Sequence, residues 1–316
     1  MTAQSELQVM LLGAFTASED HQPLRAPVLH KAADLLALVL LAPGRRVLRE
    51  AAAETLWPDA GGEQSRKSIR QALWQIHRAT DDGLTGDDRL VVSDGETVGI
   101  NPGRSLWVDA AVFSQAVRRA QEPAPLDEAE LVRLAAAADL YRGPLHAGCY
   151  DEWCLAPRAR LEDRCLTLLD RLSREAERQG ALESAIGWAQ RLLEIEPAHE
   201  RSHRRLMRLY VNLGDRTRAL RQLAECRTVL AQQLGIRPDA LTEELGAAIL
   251  ADRLRVEARY DETGARDVPT TRPAPHVPGS VQVDLIAALR TEIRALRSSL
   301  ETISESLGAG TDPRAD

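Results

Sequence analysis

The chain has 316 residues, 44% of them hydrophobic, enough for about two domains with real cores and a tail. Only 3% are aromatic, while leucine, alanine and arginine abound, a bias toward helix over sheet. A net charge of −7 excludes indiscriminate polyanion binding, no apolar run reaches the length of a membrane span, and the N-terminus lacks a secretory pattern, so a cytoplasmic protein without membrane contact is expected.

Residues 7–17 are apolar and partly alternating, and a polar stretch follows, which predicts a hairpin or small N-terminal sheet. The helical pattern from Val28 to Ala42 is stopped by Pro43-Gly44, and a second short helix over 49–57 ends at Pro58. After a turn through Gly61-Gly62 comes a basic helix, 65–79. It carries Arg66, Lys67, Arg70 and Arg78 and no acid. Ile69, Ala72, Leu73 and Ile76 form one apolar stripe, and Lys67, Gln71, Trp74 and Arg78 lie opposite, flanked by Arg70 and Gln75. Such a helix packs on one face and offers cations and amides to phosphates and base edges on the other. A solvated surface helix is the bland alternative, and the neighbouring elements weigh against it. Arg66, Lys67 and Arg70 are expected in the first turns to meet phosphate or enter a groove. Gln71 and Gln75 suit adenine, and Arg78 suits backbone phosphate. Trp74 either touches a thymine methyl or sugar or packs on a neighbouring element. Residues 1–115 hold 11 lysines and arginines against 15 acids, a net of −4, so contact with double-stranded DNA must be local, resting on this helix and on Arg45, Arg46 and Arg49.

Two β-prone runs, Arg89–Ser93 and Glu96–Asn101, flank Asp94-Gly95, a strong hairpin signal. Helix, helix, basic helix and hairpin together describe a winged helix of the response-regulator type, here with an acidic wing tip. Beyond Trp107-Val-Asp109 the pattern predicts helices over about 109–121, 127–141, 151–179, 181–196, 198–213, 215–234 and 239–259. Leu172, Gly180 and Ala185 recur 34 residues later as Leu206, Gly214 and Ala219, with Pro197 closing the first unit, the period of a tetratricopeptide repeat. Residues 264–280 are proline-rich and read as an extended linker. After them Ile286, Leu289, Ile293, Leu296, Leu300, Ile303 and Leu307 step by alternating threes and fours, a heptad seam suited to oligomerisation as a homodimer or higher oligomer. An amphipathic helix lying on its own domain is the alternative for this segment.

Several constellations are set aside. Gly61-Gly-Glu-Gln-Ser-Arg-Lys-Ser68 superficially resembles a phosphate loop, but Arg66 stands where the second glycine is required. His199 and His203 stand four apart without a third ligand nearby and read as surface histidines. Cys149, Cys154, Cys165 and Cys226 have neither zinc-pair nor disulfide-framework spacing and read as buried reduced thiols. Trp153 and Trp188 read as interhelical packing. With no Ser-His-Asp or Cys-His arrangement in context, the chain is not expected to be an enzyme or to need a metal or cofactor.

The basic helix preceded by Trp57-Pro-Asp59, the Trp107-Val-Asp109 exit, Tyr141-Arg-Gly-Pro-Leu145, Tyr150-Asp-Glu-Trp153 followed by Arg158-Ala-Arg-Leu-Glu162, and Leu206-Met-Arg-Leu209 followed by Gly214, through Leu234-Gly-Ile-Arg-Pro-Asp239, resemble a known family. It is that of the bacterial transcriptional activator domain regulators, whose type members are the Streptomyces antibiotic regulatory proteins. The resemblance covers roughly 6–252 and implies a sequence-specific transcriptional activator. Its helical repeats would mediate dimerisation and contact RNA polymerase. The expected fold is mainly α: a winged helix over 1–106, a tetratricopeptide-like activator domain over 107–260, a linker over 261–281, a heptad helix over 282–307 and a tail over 308–316. A scaffold that has lost DNA binding and assembles through its repeats and coiled coil is the alternative, supported by the acidic N-terminal balance.

Overall fold

The computed structural model describes residues 6–253 apart from 25, 82, 83, 85 and 123–125. The linker and the heptad positions from Ile286 to Leu307 lie outside the described residues.

The first strands are β1 (Leu7–Met10), β2 (Thr16–Glu19) and β3 (Gln22–Pro23). Leu7 and Val9 point into the core and Gln8 and Met10 out of it, the period-two pattern of a half-buried strand. Asp20 and His21, both at positive φ, form the two-residue turn between β2 and β3. Then follow α1 (His30–Leu41), β4 (Arg46–Leu48), α2 (Arg49–Leu56), α3 (Gly62–Thr80), β5 (Val91–Ser93), β6 (Thr97–Ile100) and β7 (Leu106–Val108). The strands make two sheets, ordered β3-β2-β1-β7 and β4-β6-β5. The expected N-terminal sheet and second hairpin are both present. Each also gains a strand from far away, since β7 lies parallel to β1 and β4 pairs with β6.

Seven further helices complete the described chain: α4 (Asp109–Gln121), α5 (Glu128–Leu140), α6 (Glu152–Arg178), α7 (Leu182–Ile195), α8 (Glu200–Asn212), α9 (Arg216–Leu234) and α10 (Ala240–Leu250). The described residues are thus mainly helical, with the small sheets confined to their N-terminal part. A capping box opens α5: the Asp127 carboxylate accepts from Glu130 N, and the Glu130 carboxylate accepts from Asp127 N.

The 34-residue period is visible in the geometry. Gly180 and Gly214 both sit at φ +76°, a conformation that glycine adopts without strain, and each turns the chain between antiparallel helices. Ala185 and Ala219 are fully buried where those helices cross. At the first crossing the Ser173 hydroxyl donates to Ala185 O at 2.9 Å.

Two expectations are corrected. The last helix ends at Leu250 and does not continue to 259. Asp252 takes a positive φ, Arg253 N reaches back to Ala248 O, and the Arg216 guanidinium donates to Ile249 O and Leu250 O, so the terminal carbonyls are satisfied. His203 is not a surface residue. It is buried, with Nε2 2.9 Å from Pro197 O and Nδ1 2.7 Å from Gln222 Nε2, and both ring nitrogens are used in holding the repeat together.

One apolar core runs from Leu7 to Leu172, taking in both sheets, α1 to α5 and most of α6, with Leu192 of α7. A second, from Ala176 to Ile249, is built by α7 to α10 on the last turns of α6.

Candidate nucleic-acid interface

α3 is held from behind by its apolar stripe. Ile69, Ala72, Leu73 and Ile76 are buried against α1 and α2, while Arg66, Lys67, Arg70, Gln71, Trp74 and Arg78 are exposed and Gln75 is half-buried. Six of the seven predicted contact residues therefore share an open surface, and the seventh borders it. The helix starts at Gly62, three residues earlier than expected. Its free N–H groups therefore belong to the Gly62–Gln64 turn, and Arg66 and Lys67 stand one turn further in. Gly61, Gly62, Glu63, Gln64, Lys67 and Arg70 line a depression of about 560 Å³ at this end. Glu63 there opposes any anion that approaches the helix end.

Lys67 and Arg70 make no ion pair among the described residues, and Arg66 meets only exposed Glu50 at 3.5 Å. In water such an exposed pair contributes little, so three cations remain available to a polyanion. Trp74 is 57% exposed and so is not buried against a neighbouring element. The Arg78 guanidinium lies 5.4 Å from its ring centroid, stiffening both side chains.

The far end of α3 is tied to the hairpin by Asp81. Its buried carboxylate accepts from Leu90 N at 2.9 Å and from the Thr80 hydroxyl, and pairs with His77 Nδ1 at 2.7 Å. Arg104 donates to Thr80 O and Asp88 O across the same junction. No local pattern in the sequence announces this clamp, because its partners are single polar atoms on separate loops.

The hairpin tip is acidic in composition but not free. Asp94 accepts from Glu96 N, Thr97 N and the Thr97 hydroxyl, and Arg46 reaches it at 3.3 Å. The backbone N–H of Thr97, above all, holds the Asp94 carboxyl below the ordinary range. Arg49 donates to the Ser93 hydroxyl at 3.4 Å. Between tip and helix lies a cleft of about 680 Å³, lined by Leu48, Arg49, Glu50, Arg66, Arg70 and Glu96 among others. Arg46 and Arg49, reached in the sequence only as supporting cations, are thus brought beside the hairpin tip.

Behind the site, Asp109 at the start of α4 is wholly buried and accepts from Leu11 N at 2.7 Å, Leu12 N at 2.9 Å and Ala110 N at 2.7 Å. Burial pushes its carboxyl above the ordinary range, against the pull of those three N–H groups. The described residues contain no helix long and apolar enough to cross a membrane.

Residues 108–250 match the model of the bacterial transcriptional activator domain. The regulatory protein AfsR of Streptomyces coelicolor is 27% identical over 242 residues, which cover 76% of this chain and 24% of AfsR. The regulatory protein DnrI of Streptomyces peucetius is 24% identical over 290 residues, which cover 88% of this chain and 100% of DnrI. The alignment thus spans about a quarter of AfsR and the whole of DnrI. Among solved structures, Mycobacterium tuberculosis EmbR in complex with a low affinity phosphopeptide is similar in fold, with a TM-score of 0.58 at 21% identity, over 79% of this chain and 66% of that one.

Proposed function

On the premise that this chain belongs to the bacterial transcriptional activator domain regulators of the Streptomyces antibiotic regulatory protein family, we propose that it is a sequence-specific DNA-binding activator. In this reading residues 6–108 form a winged helix, and α3 lies in the major groove. Lys67 and Arg70 take phosphates, with Arg66 beside them. Gln71 and Gln75 read adenine edges, and Arg78 holds backbone phosphate with Trp74 against sugar or a thymine methyl. The helical pairs from α6 onward dimerise or contact RNA polymerase, and the heptad segment adds to oligomerisation.

The observation that carries the reading is the open cationic face of α3, where Lys67 and Arg70 make no ion pair among the described residues, on a helix whose other face is packed. A merely solvated helix gains nothing from leaving Lys67 and Arg70 without an ion pair among the described residues in a domain that is net acidic. The acidic wing tip, together with the acidic balance of the N-terminal part, supported a scaffold without DNA binding. Asp94 is consumed inside the turn, which weakens that support.

The test is selection of bound duplexes from a random library, followed by gel shifts of the selected site. Lys67→Glu and Arg70→Glu are expected to abolish the shift with the circular dichroism unchanged. Folded variants that still bind as the parent does would remove α3 as the reader. Absence of any selected site at low salt would favour the scaffold.

A further inference from the structure

The loop Arg142–Tyr150 folds back on α1 and assembles donors that are far apart in the sequence. Asp34 on α1 meets His146 and Cys149, one ligand atom from each lying within 4.8 Å of the others. All three residues are more than nine-tenths buried. We propose that Asp34, His146 and Cys149 bind a divalent metal ion of the zinc class.

Four observations support this site. The donors are one carboxylate, one imidazole and one thiol, a mixed O, N, S set that suits zinc rather than magnesium or calcium. Tetrahedral zinc with bonds of about 2.0–2.3 Å places its ligand atoms about 3.3–3.8 Å apart, so Asp34 Oδ1 and His146 Nε2 would open from 2.7 Å by about half an ångström, and separations of up to 4.8 Å would close by about one. His146 turns Nε2 to Asp34 Oδ1 at 2.7 Å, so the imidazole nitrogen and the carboxylate oxygen that would share the ion already face each other. The loop is also built to hold its shape: His146 sits at φ +48°, and the Arg158 guanidinium ties down Leu145 O, His146 O and Cys149 O.

The surroundings fit as well. Phe15 and Trp153 stand with ring centroids 5.7 and 6.2 Å from that of His146, giving the donors apolar walls. Lys31 holds Asp34 Oδ2 at 3.3 Å, leaving Oδ1 turned to the imidazole. On binding, the Cys149 S–H bond breaks, its proton leaves to solvent and a sulfur–metal bond forms, and with the Asp34 carboxylate the two negative ligands balance the dication. Cys154 hydrogen-bonds to the carbonyl of Leu145 at 3.7 Å and is not counted as a ligand. Because Asp34 belongs to α1 and the other two donors to the loop before α6, the ion would fasten the DNA-reading part to the helical block. The inference does not depend on DNA binding.

The test uses the full chain, reduced and stripped with chelator, then given equimolar zinc or cobalt(II) and desalted. One equivalent is expected to remain, and cobalt is expected to show a thiolate charge-transfer band that disappears in Cys149→Ser and persists in Cys226→Ser, which removes a buried thiol elsewhere. X-ray absorption of the zinc-loaded parent chain needs no variant, and is expected to show sulfur at about 2.3 Å with nitrogen or oxygen at about 2.0–2.1 Å. No retained metal, a coordination sphere without sulfur, or a cobalt band that survives Cys149→Ser would each overturn the assignment.

Discussion

Single carboxylates do much of the positioning in this molecule, and their effects separate by burial. Asp94 is exposed, and its value lies in ordering the hairpin tip through three hydrogen bonds from Glu96 and Thr97. Its pKa is lowered on folding, so the contribution is complete above the ordinary value of 3.8 and fades as pH falls through the lower folded value. Amide exchange at Glu96 and Thr97 is therefore expected to be slow at neutral pH and to accelerate, relative to the exposed-amide baseline, only in strong acid. Asp94→Ala should show the fast behaviour throughout, and an unchanged exchange profile in that variant would refute the role. Asp109 is the opposite case. Removing its side chain in Asp109→Ala leaves Leu11 N, Leu12 N and Ala110 N buried without that acceptor, for a cost of about 2–5 kcal/mol in urea unfolding.

At the scale of elements, helices were legible because their signals are local. The α4 helix falls on its predicted span, 109–121, because Asp109 and the break after Gln121 bracket a clear apolar stripe. The repeat was legible for the same reason, since Gly180 with Ala185 and Gly214 with Ala219 each carry turn and crossing within six residues. The strand that each sheet takes from far along the chain was not. β4 is only Arg-Val-Leu, and its partner Thr97–Gly99 lies some fifty residues on. β7 pairs with β1 across nearly the whole N-terminal part. His203 was misplaced because its partners, Pro197 O and Gln222, give no periodic signal. Of the interface, the cationic face was legible and the Asp81 clamp was not, for that reason too. The repeat makes its own prediction. Ala185→Leu and Ala219→Leu overpack equivalent crossings, so each is expected to destabilise by about 1–3 kcal/mol or more in denaturant titrations. A near-neutral result at either position would mean that the crossing has room the geometry does not give it. On α3, Lys67→Ala is expected to weaken binding on all sequences alike and to lower the salt slope by about one, whereas Gln71→Ala should relax preference at one base pair by about 1–3 kcal/mol.

For the molecule as a whole, the decisive feature is that the core from Leu7 to Leu172 does not pause near position 106. β1 lies between β2 and β7, and β7 runs directly into α4, whose Phe113 and Val117 are buried in that core. The segment after β1 is then stitched to the loop before α6, with Gly13 N on Pro144 O, His146 N on Leu11 O and Ala147 N on Gly13 O. An N-terminal part joined by a flexible hinge would lack such continuity, and its stability would be independent of the helices beyond it. Here the two must share their free energy of folding. Val9→Ala on β1 and Leu169→Ala on α6 both cut into one core, the leucine change costing about 2–5 kcal/mol and the valine change somewhat less. Each is therefore expected to lower the midpoint for the whole stretch from β1 through α6. Hydrogen exchange resolved by peptide would report it: Val9→Ala should speed exchange in the Leu161–Leu172 turns of α6, and Leu169→Ala should speed exchange in β1 and α1. Confinement of either effect to its own side of residue 106 would show two independent folding units. The α3 face would then be carried on a free module, not on one folding unit with the helices from α4 to α6.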